Sequence, residues 1–310
     1  MNKKLKIIFV GIPDMALVCL MNLIAKKFNI VGVVPPHKNH ATFDFFKTFA
    51  KERNLNFMEF NETPNEKEYI EKLKELNADI GVVCSYNKKF SKEFLKTTKM
   101  GYINCHPSLL PYYRGAAPYF HIVNNGEKTS GITLHFMDET FDTGDIIYQE
   151  KFDLIPCETM GSIFNRTTYM LSDALIEILG QIQDGKEIQK IKQPKEKDFI
   201  EAPKVDGNFR ARWNTYSSVE LERLIRASNP FYNVFTTFRG VNLKIIKADA
   251  IELKHNYKPG QIVKADENEF LVAAKKGLLS LKIFQIGSWG TYDTKDFYNT
   301  FTPTCDEFLS

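Results

Sequence analysis

The sequence of 310 residues has little of what marks several common protein classes. Its five cysteines are scattered and include no C-x-x-C pair, which argues against structural zinc and favours a reducing compartment. No apolar run approaches the length of a membrane span, and Pro13 and Asp14 interrupt the apolar stretch that follows the first residues. We therefore expect a cytoplasmic protein with no membrane partner.

Further absences argue against particular cofactors and partners. The turn after the first apolar run is not a G-x-G-x-x-G fingerprint, which argues against a dinucleotide cofactor, and no H-E-x-x-H spacing indicates a metal. The 41 basic and 38 acidic residues leave a net charge of +3, too even a balance to indicate nucleic acid by itself. The expectation is an enzyme or binding protein without a bound metal.

Strand and helix patterns alternate through the first half of the chain. Apolar runs predict strands at 5–10, 29–34 and 79–84, with helices up to residue 26, at 42–53 and at 65–76. A long helix follows at 161–179. This alternation predicts an α/β fold with a Rossmann-like open, mostly parallel sheet in an N-terminal domain, residues 1–189.

The pattern changes after residue 189. Residues 190–208 are rich in Lys, Glu and Pro and are interpreted as a linker. Beyond them, a helix at 218–227 precedes short strand-like segments that predict a smaller OB-like β-barrel domain at 209–310. These segments lie at 233–238, 243–250, 260–264, 269–274 and 279–286.

The most informative stretch runs from residue 102 to residue 150. It begins with a strand in which Asn104 and His106 point to one side and Cys105 to the other. A proline-containing loop, a helix at 118–124 and a second strand at 131–137 lead to a polar loop that contains Asp142. We expect an amide, an imidazole and a carboxylate to converge at neighbouring strand ends.

Other chemistry is less well supported by the same residues. Cys105 faces away and Ser108 has no fixed base, which favours direct transfer to an incoming amine over covalent catalysis. His121 and His135 are assigned structural roles, on a helix face and on a strand. A metal site built from His106, His135 and Asp142 has no supporting ligand spacing.

The run Asn-Cys-His-Pro-Ser-Leu-Leu-Pro-Tyr-Tyr-Arg-Gly at 104–115, followed by Asp-Thr-Gly-Asp at 142–145, resembles the formyltransferases that use N10-formyltetrahydrofolate. The resemblance implies that Asn104, His106 and Asp142 are catalytic. Asn104 would donate hydrogen bonds to the developing oxyanion, and His106 would relay a proton near neutral pH. Asp142 would orient the imidazole or accept the amine proton itself, and both roles stay open.

The same resemblance implies the binding residues. The N10-formyltetrahydrofolate co-substrate is expected to contact two loops, through Ser85, Tyr86, Lys88, Asp138, Thr140 and Phe141. The acceptor is expected beside the first loop and the proline-containing loop, at Gly11, Pro13, Met15, Ser108, Tyr113 and Arg114. No metal ligand is implied.

Three acceptors are considered within the family. The loop after the second strand is short and mildly basic, whereas methionyl-tRNA formyltransferases carry a basic insertion there, so a nucleotide-linked amino sugar is preferred. Initiator methionyl-tRNA is the alternative, and glycinamide ribonucleotide ranks third. Arg114 could pair with a diphosphate or hold its own loop.

Two further points stay open. A module that binds folate or a nucleotide without catalysis would not need Asn104, His106 and Asp142 together, so it is the weaker hypothesis. The C-terminal domain could bind tRNA, hold a homodimer together or close over the acceptor.

Overall fold

The computed structural model describes residues 4–59, 66–86, 88–194 and 199–310. These residues form two compact units. The first contains the described residues up to Pro118 together with Thr129–Asp153 and Phe164–Pro203, and the second contains Tyr119–Lys128, Leu154–Ile163 and Lys204–Ser310. Compared with the predicted division at 189 and 209, two short segments group with the second unit, and the described residues 190–194 and 199–203 group with the first.

A six-stranded sheet forms the centre of the first unit, in the order β2-β1-β3-β4-β5-β6. The first four strands of that order are parallel, and β5 and β6 are antiparallel to their neighbours, which confirms the predicted α/β class. The elements in chain order are β1 (Lys6–Gly11), α1 (Met15–Ala25), β2 (Asn29–Val34), α2 (Phe43–Glu52), α3 (Glu66–Glu75), β3 (Ile80–Cys84), α4 (Lys92–Leu95), β4 (Tyr102–His106), α5 (Pro118–Asn124), β5 (Thr129–Phe136), β6 (Ile146–Asp153) and α6 (Met160–Gln183).

The parallel strands are continuous apolar runs because both faces of the sheet are covered. Ile7 and Phe9 of β1 pack into a cluster with side chains from α1 and α6. Ile8 and Val10 point the other way, into a second cluster that includes Tyr102. Burial on both faces removes the need for polar residues at alternate positions, which is why these strands could be predicted from the sequence.

The edge strand β6 was not predicted. Its sequence, Ile-Ile-Tyr-Gln-Glu-Lys-Phe-Asp, is exposed at Glu150 and Lys151, so the apolar pattern that marks the inner strands is absent. The predicted start of the charged helix, residue 65, lies outside the described residues, and α3 begins at Glu66. In the part of the chain that the structure describes, no helix is long and apolar enough to cross a membrane.

A second sheet forms the core of the second unit, in the order β10-β11-β12-β9-β8-β7, with β13 paired to β12. Residues 307–310 hydrogen-bond to β8 through Thr237 and to β10 through Ile262, and so join opposite sides of the sheet. This arrangement agrees with the barrel-like expectation. The elements are β7 (Asn208–Arg210), α7 (Ser218–Ser228), β8 (Asn233–Phe238), β9 (Val241–Ile251), β10 (Ile262–Ala265), β11 (Phe270–Ala273), β12 (Leu278–Ile286), β13 (Gly290–Asp293) and α8 (Thr294–Phe301).

Local chemistry fixes where α7 begins. The side chain of Ser217 accepts a hydrogen bond from the Glu220 N–H, and the Glu220 carboxylate accepts one from the Ser217 N–H. This reciprocal pair satisfies two of the free donors at the helix start, so the predicted helix at 218–227 forms with its start at Ser218.

The α8 residue Phe297 lies at the centre of an aromatic cluster in the second unit. It is 1% exposed and contacts the rings of Phe238, Phe270 and Phe284 at centroid distances of 5.3, 5.3 and 4.5 Å. We expect Phe297→Ala to lower the free energy of unfolding of this unit by about 3 to 5 kcal/mol, because it leaves a cavity among rigid rings.

The measurement is urea unfolding followed by hydrogen exchange of peptides from residues 204–310. Phe231→Ala is the matched control, because Phe231 is 53% exposed and its truncation should change stability by less than about 1 kcal/mol. Equal losses in the two variants would contradict the central role of Phe297.

Candidate active site

Asn104 and His106 lie on β4, two residues apart, and both side chains approach Asp142. The sequence predicts that these side chains converge because their strands end side by side, and this reason is wrong. Because β5 is antiparallel to β4, the loop that follows β5 starts at the opposite end from His106, and it must fold back to reach this residue. Gly144 permits that return, since a Cβ atom there would lie 1.8 Å from the Phe136 carbonyl oxygen.

The amide group of Asn104 has both of its N–H bonds occupied. One donates to Asp142 Oδ1 over 3.2 Å, and the other points to His135 Nε2 over 3.1 Å. His135 Nδ1 lies 2.9 Å from the Phe136 carbonyl oxygen, which can only accept, so Nδ1 carries the proton and Nε2 is the acceptor. His135 is therefore part of the polar cluster as well as of the strand.

His135 is the residue in this cluster that the sequence analysis did not select. It is 1% exposed and stands opposite Asn104 in the β4–β5 register. That pairing depends on which residues of the two strands align, and no spacing rule along the chain reveals it. A buried histidine on a strand carries no distinguishing sequence signal without the partner.

Asp142 is almost enclosed, with 10% of its side chain exposed, yet its surroundings favour the ionised form. Burial raises the pKa of this carboxyl, but its attraction to the neighbouring imidazoles of His106 and His135 in their charged forms and the hydrogen bond from the Gly115 N–H outweigh that effect and hold the pKa well below its usual range. Oδ2 accepts a hydrogen bond from the Gly115 N–H over 2.9 Å. With the bond from Asn104, each carboxylate oxygen has a donor at neutral pH.

His106 is held in one tautomer. Its Nε2 lies 3.0 Å from the Tyr113 carbonyl oxygen and must donate to it, which leaves Nδ1 as the basic nitrogen, 3.6 Å from Asp142 Oδ1. Burial lowers the pKa of the imidazole, Asp142 opposes that shift and His135 adds to it. The net result is a neutral imidazole near pH 7 that can take up a proton beside a carboxylate.

Several residues predicted to contact the acceptor are enclosed in the fold instead. The side chains of Met15, Ser108 and Tyr113 are 2%, 0% and 5% exposed. The Ser108 hydroxyl donates to the Tyr112 carbonyl oxygen over 2.7 Å, and Met15 belongs to the core below α1. These side chains pack inside the loop and the core, and their assignment as acceptor contacts stays a prediction.

Arg114, also predicted to contact the acceptor, is enclosed as well. The residue is 9% exposed, its guanidinium donates to Gln193 Oε1, and its Cζ atom lies 4.8 Å from the centroid of the Phe199 ring. These contacts agree with the loop-holding role, and pairing of Arg114 with a diphosphate stays a prediction. Gly11 ends β1 and Pro13 lies two residues further on. Between them, the Ile12 N–H donates to the Ser85 carbonyl oxygen over 3.1 Å and joins the first loop to the loop after β3.

The residues predicted to bind the folate occupy two loops. Ser85 follows β3 with a φ of 50°, and Tyr86 stacks on Phe90 at a centroid distance of 5.3 Å, next to the exposed Lys88. In the second loop, Asp138 accepts hydrogen bonds from the Thr140 N–H and hydroxyl at 2.9 and 2.8 Å. Phe141 is 49% exposed, and Lys89 Nζ lies 5.3 Å from the centroid of its ring.

A large cleft lies away from the polar cluster of Asn104, His106 and Asp142. It has a volume of about 1150 Å³ and is lined by Leu5, Asp79, Met100 and the segment 185–190, at the amino ends of β1, β3 and β4. None of the predicted site residues lines it. Within the described ranges, no group of three or more His, Cys, Asp or Glu side chains could hold a metal ion.

Comparison with known proteins identifies the class of enzyme. The formyl transferase family matches residues 6–179, and the family of formyl transferase C-terminal domains matches residues 206–302. The chain therefore belongs to the formyltransferase family and is an N-formyltransferase, as the motifs at 104–115 and 142–145 predict.

Individual relatives extend this result. The methionyl-tRNA formyltransferase of Clostridium tetani is 33% identical over 292 residues, covering 92% of this chain and 93% of that protein. The enzyme of the same name from Caldicellulosiruptor saccharolyticus is 32% identical and covers 98% and 99%.

Solved structures share the fold at lower identity. The N-formyltransferase from Helicobacter canadensis, solved with folinic acid and dTDP-3-aminofucose, has a TM-score of 0.67 and 19% identity, covering 89% of this chain and 98% of that one. HypX from Aquifex aeolicus, solved with tetrahydrofolic acid, has a TM-score of 0.64 and 15% identity, covering 99% and 51%.

Gly115 is the position where the site is most sensitive to an added methyl group. Its φ is 121°, its N–H binds Asp142, and a Cβ atom would lie 2.7 Å from the Ala202 carbonyl oxygen. We expect Gly115→Ala to lower kcat by about 100-fold, because displacement of this segment moves the donor away from the carboxylate.

Gly101→Ala is the matched control. Gly101 also has a positive φ, 82°, but a Cβ atom there would meet nothing within 4 Å. Both variants carry the backbone strain of the substitution, so both should lose some thermal stability. Similar kcat values for the two would show that the contact between Gly115 and Asp142 has no catalytic importance.

Proposed function

We propose that the protein transfers the formyl group of N10-formyltetrahydrofolate to the amino group of methionyl-tRNA. The observation that carries this proposal is the similarity, at 32 to 33% identity and across nearly the whole of both chains, to methionyl-tRNA formyltransferases. The amino-sugar enzyme is similar in fold at 19% identity, which carries less weight for the acceptor. The preference for an amino sugar drawn from the short loop is therefore reversed.

Without a strongly basic loop after β2, contacts to tRNA must come from other residues. A cross-strand row on the second sheet is a candidate, because Arg210 pairs with Phe235, Phe235 with Lys244, and Lys244 with Gln285. The neighbouring row, Val234, Ile245 and Phe284, is buried, so the first row points outward. Cations beside an aromatic ring suit a nucleic-acid backbone and its bases.

The chemistry assigned to the polar cluster follows from its protonation state. As the acceptor nitrogen bonds to the formyl carbon, its excess proton passes to Nδ1 of neutral His106, and ionised Asp142 stabilises the imidazolium. The bond from the formyl carbon to N10 then breaks, and the same proton is delivered to N10. Atoms and charge balance with no other reactant.

Asn104 has a more demanding role than the sequence suggests. Because Asp142 and His135 occupy both of its N–H bonds, one of them must be released to the formyl oxygen as the oxyanion forms. Release from His135 is favoured, since the ionised carboxylate is the stronger acceptor. Binding of the donor would thus be coupled to a small rearrangement of the Asn104 amide.

Removal of the proposed base tests this assignment. His106→Ala should lower kcat by about 10² to 10⁴-fold while the dissociation constant for folinic acid stays within about threefold of the wild-type value. His121→Ala, in the helix α5, is the control and should keep wild-type turnover. Undiminished turnover of His106→Ala would remove His106 from the mechanism.

A second acceptor remains worth testing, because the loop after β2 is compact. The described residues from Pro35 to Thr42 join β2 to α2 and contain one lysine, Lys38, and two histidines, His37 and His40. A nucleotide-linked amino sugar needs no larger basic surface there. The structural similarity to the Helicobacter canadensis enzyme is compatible with this acceptor but shows the fold alone.

The two acceptors are compared in one assay. We expect the formyl group of N10-formyltetrahydrofolate to pass to initiator methionyl-tRNA and not to dTDP- or UDP-linked amino sugars. Replacement of Arg210 and Lys244 by Ala together should raise KM for the tRNA and reduce its salt dependence, with kcat little changed. Transfer to an amino sugar with none to tRNA would contradict the proposed function.

A further inference from the structure

The side chain of Gln193 lies against the catalytic loop, although it belongs to the segment interpreted from sequence as a linker. It is 8% exposed. Residue 193 also falls between the two stretches that the family comparisons match, 6–179 and 206–302. Neither match therefore assigns it a role.

Every hydrogen-bonding position of this amide is used. Oε1 accepts from Arg114 Nη2 and Nε over 2.5 and 3.2 Å. Nε2 donates to the carbonyl oxygens of Asp142 and Gly144 over 3.0 and 2.8 Å. A guanidinium can only donate and a carbonyl can only accept, so the orientation of the amide is fixed by its partners.

Asp142 needs such support because its backbone is strained. Its φ is 56°, a left-handed conformation that a residue other than glycine keeps only when its surroundings determine it. Two consecutive residues supply the restraint. The Gly115 N–H holds the Asp142 carboxylate, and Arg114 acts through Gln193 on the Asp142 carbonyl oxygen.

The segment that carries Gln193 is itself anchored. Ile191 exchanges two backbone hydrogen bonds of 2.8 Å with Ile146 at the start of β6. Further along, the Ile200 carbonyl oxygen accepts from the Tyr113 N–H over 2.6 Å, and Ala202 donates to the Arg114 carbonyl oxygen over 2.7 Å. Backbone hydrogen bonds to the start of β6 and to the loop at Tyr113 and Arg114 therefore position the segment that carries the Gln193 side chain.

From this geometry we infer that Gln193 is a positioning residue for formyl transfer. Its amide joins the guanidinium of Arg114 to the carbonyl oxygens of Asp142 and Gly144. In this way it holds the Asp142 carboxylate in position relative to His106. The inference rests on the proposed catalytic role of Asp142. No other side chain of similar length provides both halves of that connection, since glutamate lacks the donors and lysine lacks the acceptor.

Two variants test the two contacts of the Gln193 amide separately. Gln193→Ala removes both the acceptor for Arg114 and the donor to the Asp142 and Gly144 carbonyl oxygens, and Gln193→Glu removes only the donor. Both should lower kcat by about 10 to 100-fold, with KM for N10-formyltetrahydrofolate within about threefold of wild type. Glutamate retains an acceptor for Arg114 but places a carboxylate against two carbonyl oxygens, so it should be no more active than alanine. Gln189→Ala, an exposed residue of the same segment, should be unchanged.

The pH dependence distinguishes positioning from loss of stability. A looser loop weakens the donors around Asp142, so the carboxylate protonates at higher pH, and the ratio of variant to wild-type kcat should fall as pH is lowered from about 7 to about 5. A variant that is only less stable, measured below its unfolding temperature, gives a ratio independent of pH.

Turnover is measured with whichever acceptor the wild-type protein formylates, methionyl-tRNA or a nucleotide-linked amino sugar, so a wrong acceptor assignment leaves the test intact. Asp142→Asn is included as a reference, and full activity of that variant would refute the proposed role of Asp142 itself. With Asp142→Asn inactive, either wild-type kcat in both Gln193 variants or wild-type kcat in Gln193→Glu alone would overturn the inference.

Discussion

The ionised carboxylate of Asp142 in a nearly closed site is the constraint on which the rest of the active site depends. A buried charge is costly unless donors surround it. Here the donors come from Asn104 on β4 and from the Gly115 N–H on the following loop. The fold places these donors correctly only if β4, β5 and both loops keep their register. The need to satisfy one charge thus links the strand pairing to the chemistry.

The buried carboxylate also explains the protonation states of the two neighbouring histidines. His106 and His135 are each fixed in a single tautomer by a backbone carbonyl oxygen, so the nitrogen that faces the cluster is basic in both rings. A charged imidazole at rest would compete with the incoming amine for the carboxylate. A neutral one accepts the proton as the amine reacts, which places the charge change within the transition state.

The sequence predicts the fold well where burial is uniform. Continuous apolar runs mark β1 and β3 because both faces of the sheet are covered, and the motif residues mark β4. Prediction fails at β6, because its exposed residues interrupt the apolar pattern. The burial of Met15, Ser108, Tyr113 and Arg114 could not be predicted either, because it depends on how the loops pack.

The candidate site also contains residues that the sequence reveals and residues that only the folded structure reveals. Asn104, His106 and Asp142 were found by motif, because they lie on contiguous segments. His135 and Gln193 could not be found, since each joins the site through a partner far away in sequence. The contact from Gln193 to the Asp142 carbonyl oxygen spans 51 residues.

The most direct measurement is a ¹³C NMR titration of the Asp142 carboxyl carbon in protein labelled at aspartate, with Asp142→Asn used to assign the signal. We expect this carbon to show no protonation between about pH 7 and pH 4, because its donors hold the pKa below the usual value of about 3.9. A titration centred above about pH 4 would contradict it, since the resting site would then hold a neutral acid beside His106.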